Sequence, residues 1–372
     1  GDFMKNNFDK AKPHSIKKFE MIKNYTDAWA RKILGYEKST GIVFIDCMSN
    51  CGFYYDEKKS KIIEGTAIKV AKTLDKLSEN YPNKSIDVYF NDFEKWKIDY
   101  LKSEIQTNNL THINFHYSVE DSSSFLKSMH PHKFLNKNIL LIYDPFKATI
   151  DWKALKPFLN AWCDVIINHM VHDTTRGAKT ATKEDVIKRY EKTYQMSIDS
   201  IKKLSDNRDA LDERIRNIIK KIVSQNQREH FIASFPFYNR NNGLVYNLLL
   251  CTGNIEGMKL YKKVAWKNFG NRSSDKKTHG LETQLQFSIE DGSITTNTDE
   301  HCYNITDIAK YIYKKYSKKG KISLEQLYHD LDRHPIFPTD GYKSEIKKEL
   351  KSLYNVSFIK ENGKQILVFR RD

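Results

Sequence analysis

Five short apolar runs recur along the first half of the chain: 42–46, 86–92, 113–118, 138–146 and 163–170. Between them lie longer stretches whose apolar residues return every three or four positions. In 14–35 these are Phe19, Ile22, Tyr25 and Trp29, with Gly35 where a helix cap is expected. GTAIKVAKTLDKLSEN from Gly65, FEKWKIDYLKSEIQTN and WKALKPFLNAW repeat the pattern. Strands that are apolar on both faces and alternate with helices predict a parallel sheet covered on both sides. Residues 178–229 are rich in Lys, Glu and Asp with weak helical periodicity, and read as an inserted helical region. FIASFPFY and GLVYNLLLCT, separated by NRNN, predict a hairpin, and a helix follows over 254–269. Residues 270–300 are polar and read as a linker with at most short strands. The tail carries three amphipathic helical patterns and two strands joined through Asn362-Gly363, the winged-helix order of elements.

Bulk properties narrow the function. The 372 residues carry 62 basic and 47 acidic side chains, a net charge of +15, which favours anionic partners and nucleic acid first. No run approaches the length of a membrane helix, and the polar, Lys-rich start shows no secretory signal pattern. Five scattered cysteines, an odd number, argue against a disulfide framework and for a cytoplasmic setting. Cys47 and Cys51 lack the second pair that a structural zinc site needs.

Ligands of parallel sheets bind beyond the carboxyl ends of the strands. Polar residues collect there. Asp46 opens a loop of small residues that reaches Gly52; Asp92 and Glu94 follow the second strand; Ser118, Glu120 and Asp121 follow the third; Asp144-Pro145-Phe146 follows the fourth; Asn168-His169 closes the fifth. Asp46 either fixes the loop or caps a strand end. Asp92 either accepts hydrogen bonds from ribose hydroxyls or caps the next helix. His169, His172 and Asp173 suggest a metal site only if a further ligand comes from elsewhere.

This set resembles a class I S-adenosylmethionine-dependent methyltransferase: an acid before a Gly-containing loop, an acid after the second strand, a DPF turn after the fourth and a late hairpin. More narrowly, residues 14–268 resemble the three-Cys-motif partner protein family. The resemblance is carried by Lys18, Glu20, Tyr25 and Ala28-Trp29, then VFIDCMSNCGFY, Glu64-Gly65-Thr66, YDPFK, DVIINHMVHDTTR and YNLLLCTGNIEGMKLYKKV. It implies a Rossmann-like α/β fold with a mostly parallel seven-stranded sheet and a late antiparallel strand over 14–268. A linker over 269–302 and a winged-helix-like domain over 303–372 complete the expected organisation.

By the same resemblance, S-adenosylmethionine is expected at Asp46, Asn50, Gly52, Asp92 and Asp121. Asp144, Pro145 and Phe146 are expected to present a nucleic-acid base for transfer to its amino group, with a three-cysteine-motif protein as partner. Asn50-Cys51-Gly52 stands where the family carries Gly-Pro-Gly, and Asn tolerates the left-handed conformation next best after glycine. Phe146 either stacks on a flat substrate or plugs the core. Lys147 replaces a glycine and either fills the target pocket or grips a phosphate; Arg176 holds a phosphate or an internal carboxylate. In the tail, Lys343, Lys347, Lys351 and Lys364 form either a nucleic-acid face or an ordinary solvated one. The altered loop and Lys147 keep a rival expectation open, a scaffold of the same fold without catalysis.

Overall fold

The computed structural model describes residues 7–224, 228–239, 241, 243–276 and 302–370, and the backbone of 285–287 and 294–296. A two-residue strand β1 (Lys10–Ala11) precedes the long helix α1 (Pro13–Leu34). Then come β2 (Gly41–Asp46), the pair β3 (Phe53–Asp56) and β4 (Lys61–Glu64), α2 (Thr66–Ser78), β5 (Ser85–Asn91), α3 (Lys95–Thr107), β6 (Asn114–Ser118) and α4 (Ser122–Ser128). After β7 (Asn138–Tyr143), α5 (Trp152–Leu159) and β8 (Cys163–His169) lie four helices: α6 (Val171–Thr180), α7 (Glu184–Tyr194), α8 (Ile198–Leu204) and α9 (Arg208–Val223). The hairpin β9 (Phe231–Tyr238) and β10 (Leu244–Thr252) leads into α10 (Ile255–Asn268).

The large sheet has the order β6-β5-β2-β7-β8-β10-β9. Its first five strands are parallel, and β10 runs antiparallel to both neighbours. Numbered along the sheet-forming chain this is 3-2-1-4-5-7-6 with the seventh strand reversed, the class I methyltransferase fold. The period of two in the strands divides the core. Val43, Ile45, Leu141, Val165 and Ile167 face α4 to α9. Ile42, Phe44, Val88, Leu140 and Ile142 face α1, α2 and α10. All six residues of β2 are buried, which is why the sequence there is continuously apolar up to Asp46.

Several boundaries differ from the sequence expectation. Gly35 caps α1 in right-handed geometry, with φ −70. The helix expected through Trp162 stops at Leu159, leaving Ala161-Trp162 outside it. The weak periodicity of the inserted region has a cause: it holds short helices restarted by the caps Ser197 and Asn207. The small sheet β1-β3-β4 has no counterpart in the sequence reading. The expected linker lies partly outside the described residues; within it β11 (Leu285–Phe287) pairs with β12 (Ile294–Thr296).

The tail forms α11 (Ile305–Tyr316), β13 (Lys321–Ser323), α12 (Leu324–Asp332), α13 (Lys343–Leu353), β14 (Val356–Glu361) and β15 (Lys364–Phe369). Its sheet order is β13-β15-β14, all antiparallel. Asn362 (φ 49) and Gly363 (φ 80) make the hairpin turn, whose two positive φ values explain the Asn-Gly pair. This unit is docked on α10. Trp266 belongs to its core and donates to the Ile336 carbonyl at 3.0 Å. Lys262, 2% exposed, donates to the carbonyls of Leu331, Asp332 and His334 at 3.0, 2.8 and 2.8 Å. Burial pushes its ammonium down to about 7, while Asp332 and Asp340 favour the charged form. No helix among the described residues is long and apolar enough to cross a membrane.

Candidate functional site

Parallel strands place their terminal residues along one edge, where Asp46 ends β2 and Asp92 and Asp144 follow β5 and β7. The loop after Asp46 is built from hydrogen bonds rather than glycines. Asn50 takes φ 57, and its N–H donates to Asp92 Oδ2 at 3.1 Å. Its side-chain amide donates to Asp9 Oδ2 at 2.5 Å, and its own Oδ1 accepts from the Cys51 N–H at 2.5 Å. Gly52 needs to be glycine for reasons beneath the loop: φ is 79, and a Cβ would lie 2.7 Å from Ile68 Cγ1 and 2.8 Å from Leu101 Cδ1. Asn91 ties neighbouring tips together, donating to the carbonyls of Cys47 and Glu120 at 3.1 and 2.9 Å.

The edge is covered. The Asp9 carbonyl accepts from the Tyr55 N–H at 3.0 Å, and β1 pairs with β3. Asp46, Asn50 and Asp92 are consequently 3, 1 and 4% exposed. Tyr54 is half-buried and packs against Phe19, ring centroids 4.7 Å apart. Asp46 accepts from the Met48 N–H at 3.2 Å. Burial, then the neighbouring Asp144, pushes its carboxyl up to about 7 against the Met48 N–H and Lys18. Burial raises Asp92 too, opposed by the Glu94 N–H, by Lys97 and by the Asn50 N–H. Both Asp92 oxygens accept backbone N–H groups, from Glu94 at 3.0 Å and from Asn50. Asp121 is exposed and caps α4 through Ser123 and Ser124; the Ser124 hydroxyl and N–H hold its carboxyl below the usual range.

Asp144 lies between an ion pair to Lys18 of α1 and the Asn168 side-chain amide at 2.5 Å. Lys18 Nζ also stands 5.1 Å from the Tyr246 ring centre. The Asn168 Oδ1 is buried without a hydrogen-bond partner among the described residues. Pro145 is buried, whereas Phe146 and Lys147 are exposed. Phe146 does not plug the core: it is 59% exposed, with Lys97 Nζ 5.4 Å from its ring centre and 5.8 Å from that of Trp96. Lys97 pairs with Glu94 at 2.6 Å and Asp9 at 3.3 Å. Phe93, Trp96 and Val119 are exposed at the same edge.

The other residues read from the sequence sit elsewhere. Arg176 is exposed on α6, while Asp173 accepts from the Ala148 N–H at 2.8 Å. His169 uses both ring nitrogens internally, with Asp212 at 2.9 Å and the Tyr194 hydroxyl at 2.7 Å. Among the described residues no three His, Cys, Asp or Glu gather as for a metal. Cys47 and Cys51 donate separately, to the carbonyls of Ile142 and Phe53. Lys343, Lys347 and Lys351 recur at every fourth position of α13, the first over Tyr328 and the other two over Phe358; Lys364 pairs with Glu325 at 3.2 Å. Sequence reasoning missed Asp9, Tyr54, Asn91 and the Lys18–Asp144 pair. Of these only Asn91, a polar residue ending the apolar run IDVYFN, left a local signal.

No family model matches this chain, and no curated protein does. Solved structures resemble it distantly. Protein LPL1258 of Legionella pneumophila, of the family DUF519, shares 12% identity at TM-score 0.40, over 68% of this chain and 91% of its own. A SAM-dependent methyltransferase of Agrobacterium tumefaciens shares 8% at 0.34, over 66% and 63%. An rRNA methylase of Streptococcus thermophilus shares 9% at 0.29, over 60% and 93%. Likenesses this distant add nothing to the strand order, on which the fold stands.

Proposed function

We propose that this chain is an S-adenosylmethionine-dependent methyltransferase of the three-Cys-motif partner family, acting on an amino group of a nucleic-acid base in the cytoplasm. The observation that carries the reading is the convergence of Asp46, Asn50, Asp92 and Asp144. Asn50 bonds Asp92 directly, and Asp46 lies within the fields of both other acids. Asp92 fits a ribose, since a carboxylate has about four lone-pair sites and two are in use. The orphaned Asn168 Oδ1 beside Asp144 fits a donor not present in the chain itself. When bound, the cofactor supplies an electrophilic methyl group. The chain's own contribution is positional and electrostatic. Lys18 holds Asp144 in place, Asp144 and Asn168 accept hydrogen bonds from the target amine, and exposed Phe146 stacks on the base. Gly52 shapes the loop, Asp121 stands at the rim, and Lys147 and Arg176 offer cations to phosphates.

The tail, with its winged-helix order, would hold flanking nucleic acid through Lys343, Lys347, Lys351 and Lys364, and a three-cysteine-motif protein is the expected partner. Calorimetry with the cofactor and its demethylated product tests the reading. Expected is a Kd tighter than about 100 µM, near −5.5 kcal/mol, lost in Asp92→Ala with the circular dichroism unchanged. A second reading, a scaffold without catalysis, is favoured by the sealing of Asp46, Asn50 and Asp92 beneath β1 and Tyr54. It predicts no cofactor binding while nucleic acid still binds.

A further inference from the structure

The opposite end of the sheet carries a groove that the proposed chemistry does not use. It lies at the amino ends of β2, β7 and β8 and has a volume of about 980 Å³. Its walls present Tyr36, Lys38, Lys153, Lys156, Trp162 and Arg228. No Asp or Glu is among the described residues that line it. Lys38, Lys153 and Lys156 are exposed and join no ion pair among the described residues. Lys137, also in the wall, is committed to Asp87 at 2.7 Å.

The apolar part of the groove is aromatic and open. Trp162 is 66% exposed and Tyr36 59% exposed. The Arg228 guanidinium stands 5.0 Å from the Trp162 ring centre and steadies the indole without covering it.

We propose that this groove binds an unpaired nucleic-acid strand, with Trp162 and Tyr36 stacking on bases and Lys38, Lys153, Lys156 and Arg228 holding phosphates. The chemistry favours this partner over its rivals. A groove whose charged wall residues, among those described, are all cations and whose exposed rings include Tyr36 and Trp162 matches a chain that alternates phosphates with π faces. A duplex hides its base faces within its own stack and leaves both rings unused. An acidic peptide satisfies the lysines but gives Tyr36 and Trp162 nothing to stack on. The inference is independent of the methyltransferase reading, because the groove shares no residue with the carboxyl edge.

The test is fluorescence anisotropy of the full chain with a labelled oligouridine strand and with a duplex of equal length, over a range of KCl concentrations. Expected is single-strand binding that Trp162→Ala weakens roughly tenfold and Trp162→Phe largely restores. Lys153→Ser combined with Lys156→Ser should flatten the plot of log Kd against log salt by about 1.4, near 0.7 for each lost phosphate contact. Lys203→Ser, exposed on α8 and outside both proposed surfaces, serves as the comparison and leaves the Trp162 effect intact. Parent-like affinity and salt slope in the Trp162 and lysine variants would overturn the proposal. So would preference for the duplex, or a polyglutamate peptide that quenches Trp162 fluorescence while oligouridine does not. Calorimetry with the cofactor is read separately, so loss of that reading leaves this one standing.

Discussion

At the carboxyl edge of the large sheet, Asp46, Asp92 and Asp144 lie beneath Asp9, Lys18 and Tyr54; at the amino edge, Lys38, Lys153 and Lys156 stand open beside Trp162. One end gathers acids and hides them, and the other gathers cations and leaves them in water. The difference is energetic. Like charges in water are screened and cost little, whereas acids crowded in a dry site raise one another's proton affinity, which is why Asp46 is pushed to about 7. A fold keeps such an arrangement only where surrounding contacts over-determine it, as functional sites do. The carboxyl edge should therefore be sensitive to small changes in shape and charge, and the amino edge insensitive.

The strongest challenge to that contrast is Gly52→Ala. The positive φ and the collision with Ile68 and Leu101 should together cost about 3 kcal/mol, read as a fall in the urea midpoint. Leu135→Ser, at the 76% exposed position on the amino edge, should stay within about 0.5 kcal/mol. Equal losses at the two sites would erase the distinction.

Asp46→Asn sharpens it through pH. The folded carboxyl sits at about 7, well above its ordinary value of 3.8, so between those values the folded chain binds more protons than the unfolded one. Stability conferred by the protonated acid is thus full below the unfolded value and is lost as pH rises to about 7. The asparagine variant has no such loss. Its stability relative to the parent should rise by on the order of 2–4 kcal/mol between about pH 4 and about pH 8, followed by urea unfolding at each pH; a constant gap would refute the cause assigned to the shift.

Asp9→Ala is the gentlest probe. It strips a partner from Asn50 and from Lys97 and should cost about 1 kcal/mol, against less than about 0.5 kcal/mol for Lys153→Ala across the sheet.

What the sequence disclosed follows the same divide. β2 and β7 were legible because burial on both faces writes them as nearly unbroken apolar runs, and the left-handed Asn50 because few residues accept that φ. The cover over the acids was not. It depends on a strand of two residues and on pairs far apart in the chain: Lys18 meets Asp144 across 126 positions and Asn50 meets Asp9 across 41. No local pattern encodes such pairs. The hairpin of β3 and β4 did leave a trace, two β-prone segments around a polar turn at Ser60 (φ 49). The amino-edge groove was illegible for the same reason as the cover, since Trp162 and Arg228 become neighbours only when the insertion folds back.

Cys51 gives the sealed edge a clock. Its sulfur donates to the Phe53 carbonyl, and burial pushes the thiol up to about 11, so in the closed molecule it has neither access nor nucleophilicity. A maleimide can reach it only in the instants when the loop from Asn50 to Phe53 opens. The alkylation rate of this one sulfur then counts how often the molecule bares its acidic tips, and does so without any substrate in the tube.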